Sequence, residues 1–206
     1  MNIAIDSVSC GMIQENAYIV SVNGRDDCVV IDPGDEADKL IRAVGDKRVG
    51  AILLTHGHFD HIMATGTLAE RYDAPVYAGA ADIEMLNDPS INGYANLMGI
   101  AKQTWPRIGA TPYGDALEIC GMDFEIIPTP GHSMGSVCLY LKDAGVIFTG
   151  DTLFEAGYGR LDLHGGNLNE MIASLRRLFA LPGDVRAYPG HGGATTIGAE
   201  RARYRL

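Results

Sequence analysis

The stretch LLTHGHFDHI, Leu53 to Ile62, decides how the rest of this chain is read. Ala51 to Leu54 are small or apolar and too few for a helix, so they read as a buried strand. His56, His58, Asp60 and His61 then arrive within a single loop, and they include three of the chain's 6 histidines. Such a loop is either an inconsequential polar turn or a seat for something positively charged.

Outward from the strand Ala51–Leu54, a helix is predicted from about His61 to Tyr72, followed by a strand at Pro75–Ala78. In a β-loop-α-β unit of this kind, ligands gather beyond the carboxyl ends of the strands. His56, His58 and Asp60 fall at that end, and His61 is expected to open the helix. Upstream, β-type runs occupy Ile3–Val8, Ala17–Val22 and Cys28–Ile31, the last ending in Asp32-Pro33-Gly34. A helix from Glu36 to Val44 would carry Leu40, Ile41 and Val44 on one face.

Downstream, strands are predicted at Leu117–Cys120, Phe124–Ile127, Val137–Leu141 and Val146–Thr149. A helix from Leu168 to Leu181 shows an apolar stripe of Leu168, Met171, Ile172, Leu175, Leu178 and Phe179. Asn167 and Glu170 are spaced as a capping pair, and Pro182-Gly183 ends it. A last strand, Val185–Tyr188, leads into Pro189-Gly190-His191-Gly192. The stretch 82–112 is polar, carries Pro89, Gly93, Gly99 and Pro106, and holds the sole tryptophan, Trp105. It reads as a helical or irregular excursion that could shape a substrate mouth. Each half offers strands followed by helices, so two packed sheets with helices outside are expected.

Three further ligand-type residues sit just past predicted strand ends: His132 after Phe124–Ile127, Asp151 after Val146–Thr149, and His191 after Val185–Tyr188. Each is beside a glycine that lets the backbone turn sharply. A lone loop histidine is more often a surface residue, but that reading does not stretch to His56, His58, His61, His132 and His191 with Asp60 and Asp151. Neutral imidazole and carboxylate suit zinc, iron or manganese. The cysteines, Cys10, Cys28, Cys120 and Cys138, are scattered and read as small buried hydrophobes, not ligands. The donor set exceeds the four positions of a structural zinc site and suffices for two ions, each keeping a place for water.

At 206 residues, with 47% hydrophobic and 20% charged content, the chain suits one soluble globular domain. A net charge of −10 argues against nucleic acid as a partner. The start, Met1 to Asp6, lacks the pattern of a signal peptide, and no apolar run approaches the ~20 residues of a membrane span. A cytoplasmic protein with no membrane partner is expected; composition leaves the oligomeric state open.

His56-Gly57-His58-Phe59-Asp60-His61, followed in order by His132, Asp151 and His191, resembles the metallo-β-lactamase superfamily. Asn16-Ala17-Tyr18 and Asp32-Pro33-Gly34 fit too, so the likeness spans essentially the whole chain. It implies a single domain over 1–206 with an α/β fold: an αβ/βα sandwich of two mixed sheets flanked by helices, metals at one edge. Gly150-Asp151-Thr152-Leu153-Phe154, Gly159-Arg160 and Pro189-Gly190-His191-Gly192 look like glyoxalase II (hydroxyacylglutathione hydrolase) and its shorter bacterial relatives.

The resemblance places His56, His58 and His132 on a first metal, Asp60, His61 and His191 on a second, and Asp151 between them. Two divalent ions per chain follow, with zinc favoured and iron or manganese as alternatives. The implied reaction is hydrolysis of a small-molecule thioester by a hydroxide bridging the metals, with Asp60 and Asp151 fixing hydroxide and metals. His164 matches no metal position and reads as a loop residue near the mouth or a substrate contact. Full-length glyoxalase II enzymes add a C-terminal helical domain that supplies basic residues to glutathione; this chain stops at Leu206, and that domain is not expected. In the family, a basic residue and an aromatic two positions later hold the peptide part of glutathione. Here Arg160 matches the first, as a candidate substrate contact, but Asp162 stands at the second. The rival readings are a lactonase or β-lactamase on the same scaffold, a persulfide dioxygenase with one iron, and a non-catalytic metal-binding module.

Overall fold

A computed structural model describes residues 1–98 and 107–204. In the first of two sheets, β1 (Ile3–Cys10), β2 (Glu15–Val22) and β3 (Asp27–Ile31) run antiparallel. β4 (Arg48–Leu53), β5 (Val76–Ala78) and β6 (Thr111–Pro112) then continue parallel to β3. Parallel neighbours need crossovers, supplied by α1 (Ala37–Val44), by α2 (Thr65–Tyr72), and by an excursion that contains α3 (Tyr94–Met98).

In the second sheet, β7 (Ala116–Ile119), β8 (Met122–Pro128), β9 (Val137–Leu141) and β10 (Val146–Gly150) form an antiparallel meander. α4 (Leu168–Phe179) carries the chain to β11 (Arg186–Pro189), parallel to β10. β12 (Thr195–Thr196) pairs antiparallel to β11, and α5 (Ile197–Arg203) follows.

Side-chain alternation sorts the strand residues into layers. Val20, Val29, Ile31, Ala51 and Leu53 meet Met122, Phe124, Leu139, Leu141 and Phe148 between the sheets. Their neighbours Ile19, Cys28, Val30 and Ile52 face the other way, under Leu40 and Val44 of α1 and Leu68 of α2. Beyond the second sheet, Cys138, Tyr140, Ile147 and Ala187 pack under Met171, Leu175 and Leu178 of α4 and Ile197 of α5. The central strands are covered on both faces, which is why they read as unbroken apolar runs. The architecture is the expected sandwich of two mixed sheets between helices, and all four cysteines are buried free thiols. No helix among the described residues is long and apolar enough to cross a membrane.

The structure corrects several boundaries. His61 does not open an α-helix: Phe59–His61 is a 3-10 turn, and α2 starts only at Thr65. The Phe59 carbonyl accepts from Ile62 and Met63 N–H, both at 3.1 Å, while Ile62 leaves helical geometry at φ −130°. β7 stops before Cys120, because Cys120 and Gly121 both take positive φ (51° and 72°) and make a two-residue hairpin turn. Glu36 is left-handed, so α1 begins at Ala37. Pro182 to Val185 form a hydrogen-bonded turn, so β11 starts at Arg186. Within 82–112 the described part includes a 3-10 turn at Met85–Asn87, α3 and β6; Gly99, Trp105 and Pro106 lie outside the described residues.

Phe148 is fully buried against the rings of Tyr18 (5.2 Å) and Tyr188 (5.5 Å), which also touch each other. Phe148→Ala is expected to cost about 3–5 kcal/mol of stability, read by urea unfolding of the chelator-treated chain. A loss under 1 kcal/mol would contradict this packing.

Candidate metal centre

β4, β8, β10 and β11 all end at one edge of the sandwich, and the loops that follow carry His56 to His61, His132, Asp151 and His191. Asp32, at the end of β3, anchors the first of these loops. It accepts from the Thr55 N–H (2.7 Å) and from the Thr55 hydroxyl (2.6 Å). Thr55 Oγ1 lies 3.1 Å from His56 Nδ1, and Asp32 Oδ2 lies 3.0 Å from His61 Nδ1. Both rings are thus held by Nδ1, leaving Nε2 to face the site.

Asp82, fully buried, ties this loop to the one bearing His132. Its carboxylate accepts from Gly57 N–H (2.9 Å), Ser133 Oγ (2.6 Å) and Gly135 N–H (2.6 Å). Burial pushes its pKa up, against the pull of these donors. His132 in turn donates from Nδ1 to the Arg160 carbonyl at 2.7 Å, which directs its Nε2 to within 2.7 Å of His58 Nδ1. The loop of His191 is held from the opposite hairpin: Asn16 Nδ2 donates to Pro189 O (3.1 Å) and Gly192 O (2.9 Å), and Tyr18 OH to Pro189 O (2.6 Å).

The result is two ligand-type groups side by side. His56, His58 and His132 each offer one atom within 4.8 Å of the others, and so do Asp60, His61 and His191. Asp151 stands between the groups. Its Oδ2 is 3.4 Å from His132 Nε2, and its Oδ1 is 3.3 Å from His61 Nε2. Asp32, His56 and His61 also lie close together. That carboxylate is already engaged by Thr55 and meets His61 at Nδ1, so it supports the rings from behind.

The electrostatics favour a cation. Burial depresses His56 far below its ordinary pKa and His58 to about 3, so both present neutral lone pairs. Burial opposes ionisation of Asp151, yet His61 and the other imidazoles hold it below the usual carboxylate range. Burial likewise opposes a charge on His61, but Asp60 and Asp151 raise its pKa well above the ordinary value. Among the described residues His56 Nε2 is buried with no hydrogen-bond partner, and the buried His61 Nε2 and Asp151 Oδ1 meet each other at 3.3 Å without hydrogen-bond geometry. Orphaned polar atoms converging on one spot are costly unless something binds them. Their chemistry fits divalent metal ions. Close packing leaves no slack behind them: a Cβ at Gly190 would come within 2.4 Å of Asp151 Oδ1 and 2.5 Å of His61 Cε1.

A cavity of about 540 Å³ opens onto both groups, with Ile13, Phe59, Asn92, Phe154, Leu163 and Arg160 among its lining. Arg160 is exposed at its rim and pairs with Asp162. His164 is exposed and does not line the cavity. Three supporting residues escaped the sequence reading. Asp32 is marked by its place at a strand end and by the Asp32-Pro33-Gly34 match to the family, neither of which gives it a role, and nothing local marks Asp82. Glu15, wholly buried and 3.7 Å from His61 Nδ1, was hidden at the head of an apolar strand. Burial drives its carboxyl well above the ordinary pKa.

Comparison with known proteins places these residues in context. A family model described as Metallo-beta-lactamase superfamily matches residues 10–191. A hydroxyacylglutathione hydrolase, GloC, of Haemophilus influenzae is 33% identical over 98% of this chain and 95% of its own length. The crystal structure of the B3 metallo-beta-lactamase BLEG-1 is 36% identical and superposes with a TM-score of 0.89 over 97% of both chains. That of TTHA1623 in a di-iron-bound form is 39% identical, with a TM-score of 0.82 over 95% of this chain and 96% of the other.

Asp82→Ala would leave the Gly57 and Gly135 N–H groups buried without an acceptor and untie the two loops. Metal affinity is expected to fall about 10–100-fold, as for lost outer-shell partners of ligands. Competition against a chelating dye measures it; unchanged affinity would show that Asp82 does not position the ligands.

Proposed function

The chain belongs to the metallo-beta-lactamase superfamily and is a metal-dependent hydrolase, and we propose that it uses two divalent cations to cleave small-molecule thioesters. His56, His58 and His132 would hold one cation, Asp60, His61 and His191 the other, with Asp151 shared. Zinc suits these donors, and iron is supported by the di-iron form of the similar TTHA1623 structure. When bound, such a pair supplies hydroxide near neutral pH and polarises a carbonyl oxygen.

The protein's own part is to arrange. Asp60 and Asp151 line the cavity and would orient water there. The Arg160 carbonyl keeps the proton of His132 on Nδ1, and Asp32 does the same for His61, so neither ring can turn away. Phe59, Phe154 and Leu163 give the cavity an apolar part of its lining.

One observation carries the thioester assignment. Among the described residues, every ionisable group lining the cavity is already committed, either to the two ligand groups or to the Arg160–Asp162 pair. None remains to protonate a departing amine or alkoxide. A thiolate, whose parent thiol has a pKa near 8.5, leaves without such help. The similarity to a hydroxyacylglutathione hydrolase points the same way. The B3 metallo-beta-lactamase likeness favours a second reading, lactam ring opening.

The reconstituted protein, assayed on a lactoyl thioester, a lactone, a β-lactam and a persulfide, is expected to prefer the thioester by at least about tenfold in kcat/KM. Faster turnover of the lactam would favour the second reading. Oxygen-dependent consumption of the persulfide would indicate a dioxygenase. Elemental analysis should approach two equivalents of metal per chain. Asp151→Ala is expected to lose metal from both positions, whereas His191→Ala should retain close to one equivalent. Full occupancy in Asp151→Ala would contradict the sharing.

A further inference from the structure

Among the described residues, the rim of the cavity carries one guanidinium, and the protein already occupies it. Arg160 Nε donates to Asp162 Oδ1 and Nη2 to Asp162 Oδ2, both at 2.7 Å. This two-pronged match fixes the plane of the guanidinium as well as its charge. The pair is exposed, yet its backbone is anchored at the metal centre. The Arg160 carbonyl accepts from His132 Nδ1 (2.7 Å), and the Gly159 N–H donates to the Asp151 carbonyl (2.9 Å). Gly159 itself has no room for a side chain, since a Cβ there would meet Asp151 O at 2.3 Å and His132 Nδ1 at 2.7 Å. The backbone of the segment is therefore held at the cavity mouth, and Arg160 and Asp162 project from it.

Among the described lining residues, Arg160 is the one guanidinium or ammonium. The rest of the rim is apolar or amide: Ile13, Phe59, Phe154 and Leu163, with Asn92 and Asn96. A carboxylate entering on a leaving group would have to share Arg160 with Asp162 and lie beside its negative charge. An uncharged tail meets neither cost and gains contact with the apolar wall.

We propose that Asp162 is a specificity-determining residue: by holding Arg160 it neutralises the guanidinium at the cavity mouth and selects thioesters whose leaving group is uncharged over those with an anionic peptide tail. The reaction rests on the thioester reading above, but the charge selection does not.

Binding of two stable thioethers to the metal-loaded protein tests it by calorimetry: S-hexylglutathione, which is anionic, and S-hexyl-N-acetylcysteamine, which is neutral. Wild type is expected to bind the neutral probe at least as tightly. Asp162→Asn, at an exposed position, should raise the anionic-to-neutral affinity ratio about two- to fivefold, the size of one screened surface charge contact. Adding Arg160→Ala to that variant should abolish the gain, and raising salt should shrink it. An unchanged ratio in Asp162→Asn, no detectable binding of the glutathione probe to that variant, or a wild-type preference for glutathione above tenfold would each overturn the proposal. Hydrolysis of S-lactoyl-N-acetylcysteamine is followed separately. If that ester is inert while the affinity ratio still switches, the thioesterase reading falls and the charge selection stands.

Discussion

The structure turns on a group of buried ligand atoms that face one another without a well-formed hydrogen bond for each among the described residues. Leaving a buried polar atom unpaired costs about 1–3 kcal/mol; among the described residues His56 Nε2 has no hydrogen-bond partner, and His61 Nε2 and Asp151 Oδ1 have a long 3.3 Å contact in place of a hydrogen bond. No single element could assemble such a set. It requires β4, β8, β10 and β11 to end at the same edge, which in turn requires the two sheets to pack face to face across Phe124, Phe148 and Leu53. The sandwich is what holds these atoms in register, and a divalent cation is what offsets their burial.

Two carboxylates do the arranging before any cation arrives. Asp32 fixes Thr55 and His61, and Asp82 links the loop of His56 and His58 to the loop of His132. Neither points into the cavity as a donor. Their contacts are with backbone N–H groups, hydroxyls and the far side of an imidazole, which sets where the inward nitrogens lie. The carbonyl of Arg160 adds a third support at His132. This last contact joins the metal centre to the cavity mouth, because the residue that steadies His132 also presents the rim guanidinium.

Much of this was legible in the sequence because it depends on local rules. The continuous apolar runs announced strands buried on both faces, and His132, Asp151 and His191 declared themselves by following such runs beside glycines. The sorting of those residues into two groups comes from the family resemblance; in the structure His56, His58 and His132 lie close together, as do Asp60, His61 and His191. Other features were out of reach for physical reasons. The 3-10 turn at Phe59–His61 is set by hydrogen bonds to one carbonyl, not by a periodic pattern. The role of Asp82 depends on its meeting Gly57 and Ser133 across the fold, and neither contact has a trace in neighbouring residues. Glu15 could not be recognised as buried from a strand whose register was still unknown. The sequence marks Arg160 as a candidate substrate contact, but only the structure shows both prongs of its guanidinium on Asp162.

Anomalous scattering from crystals of the zinc-loaded chain addresses the centre most directly. Two peaks per chain are expected, one within bonding distance of His56, His58 and His132 and one of Asp60, His61 and His191, with Asp151 reaching both. A single peak at full zinc loading, or two peaks without Asp151 between them, would contradict the shared two-cation centre.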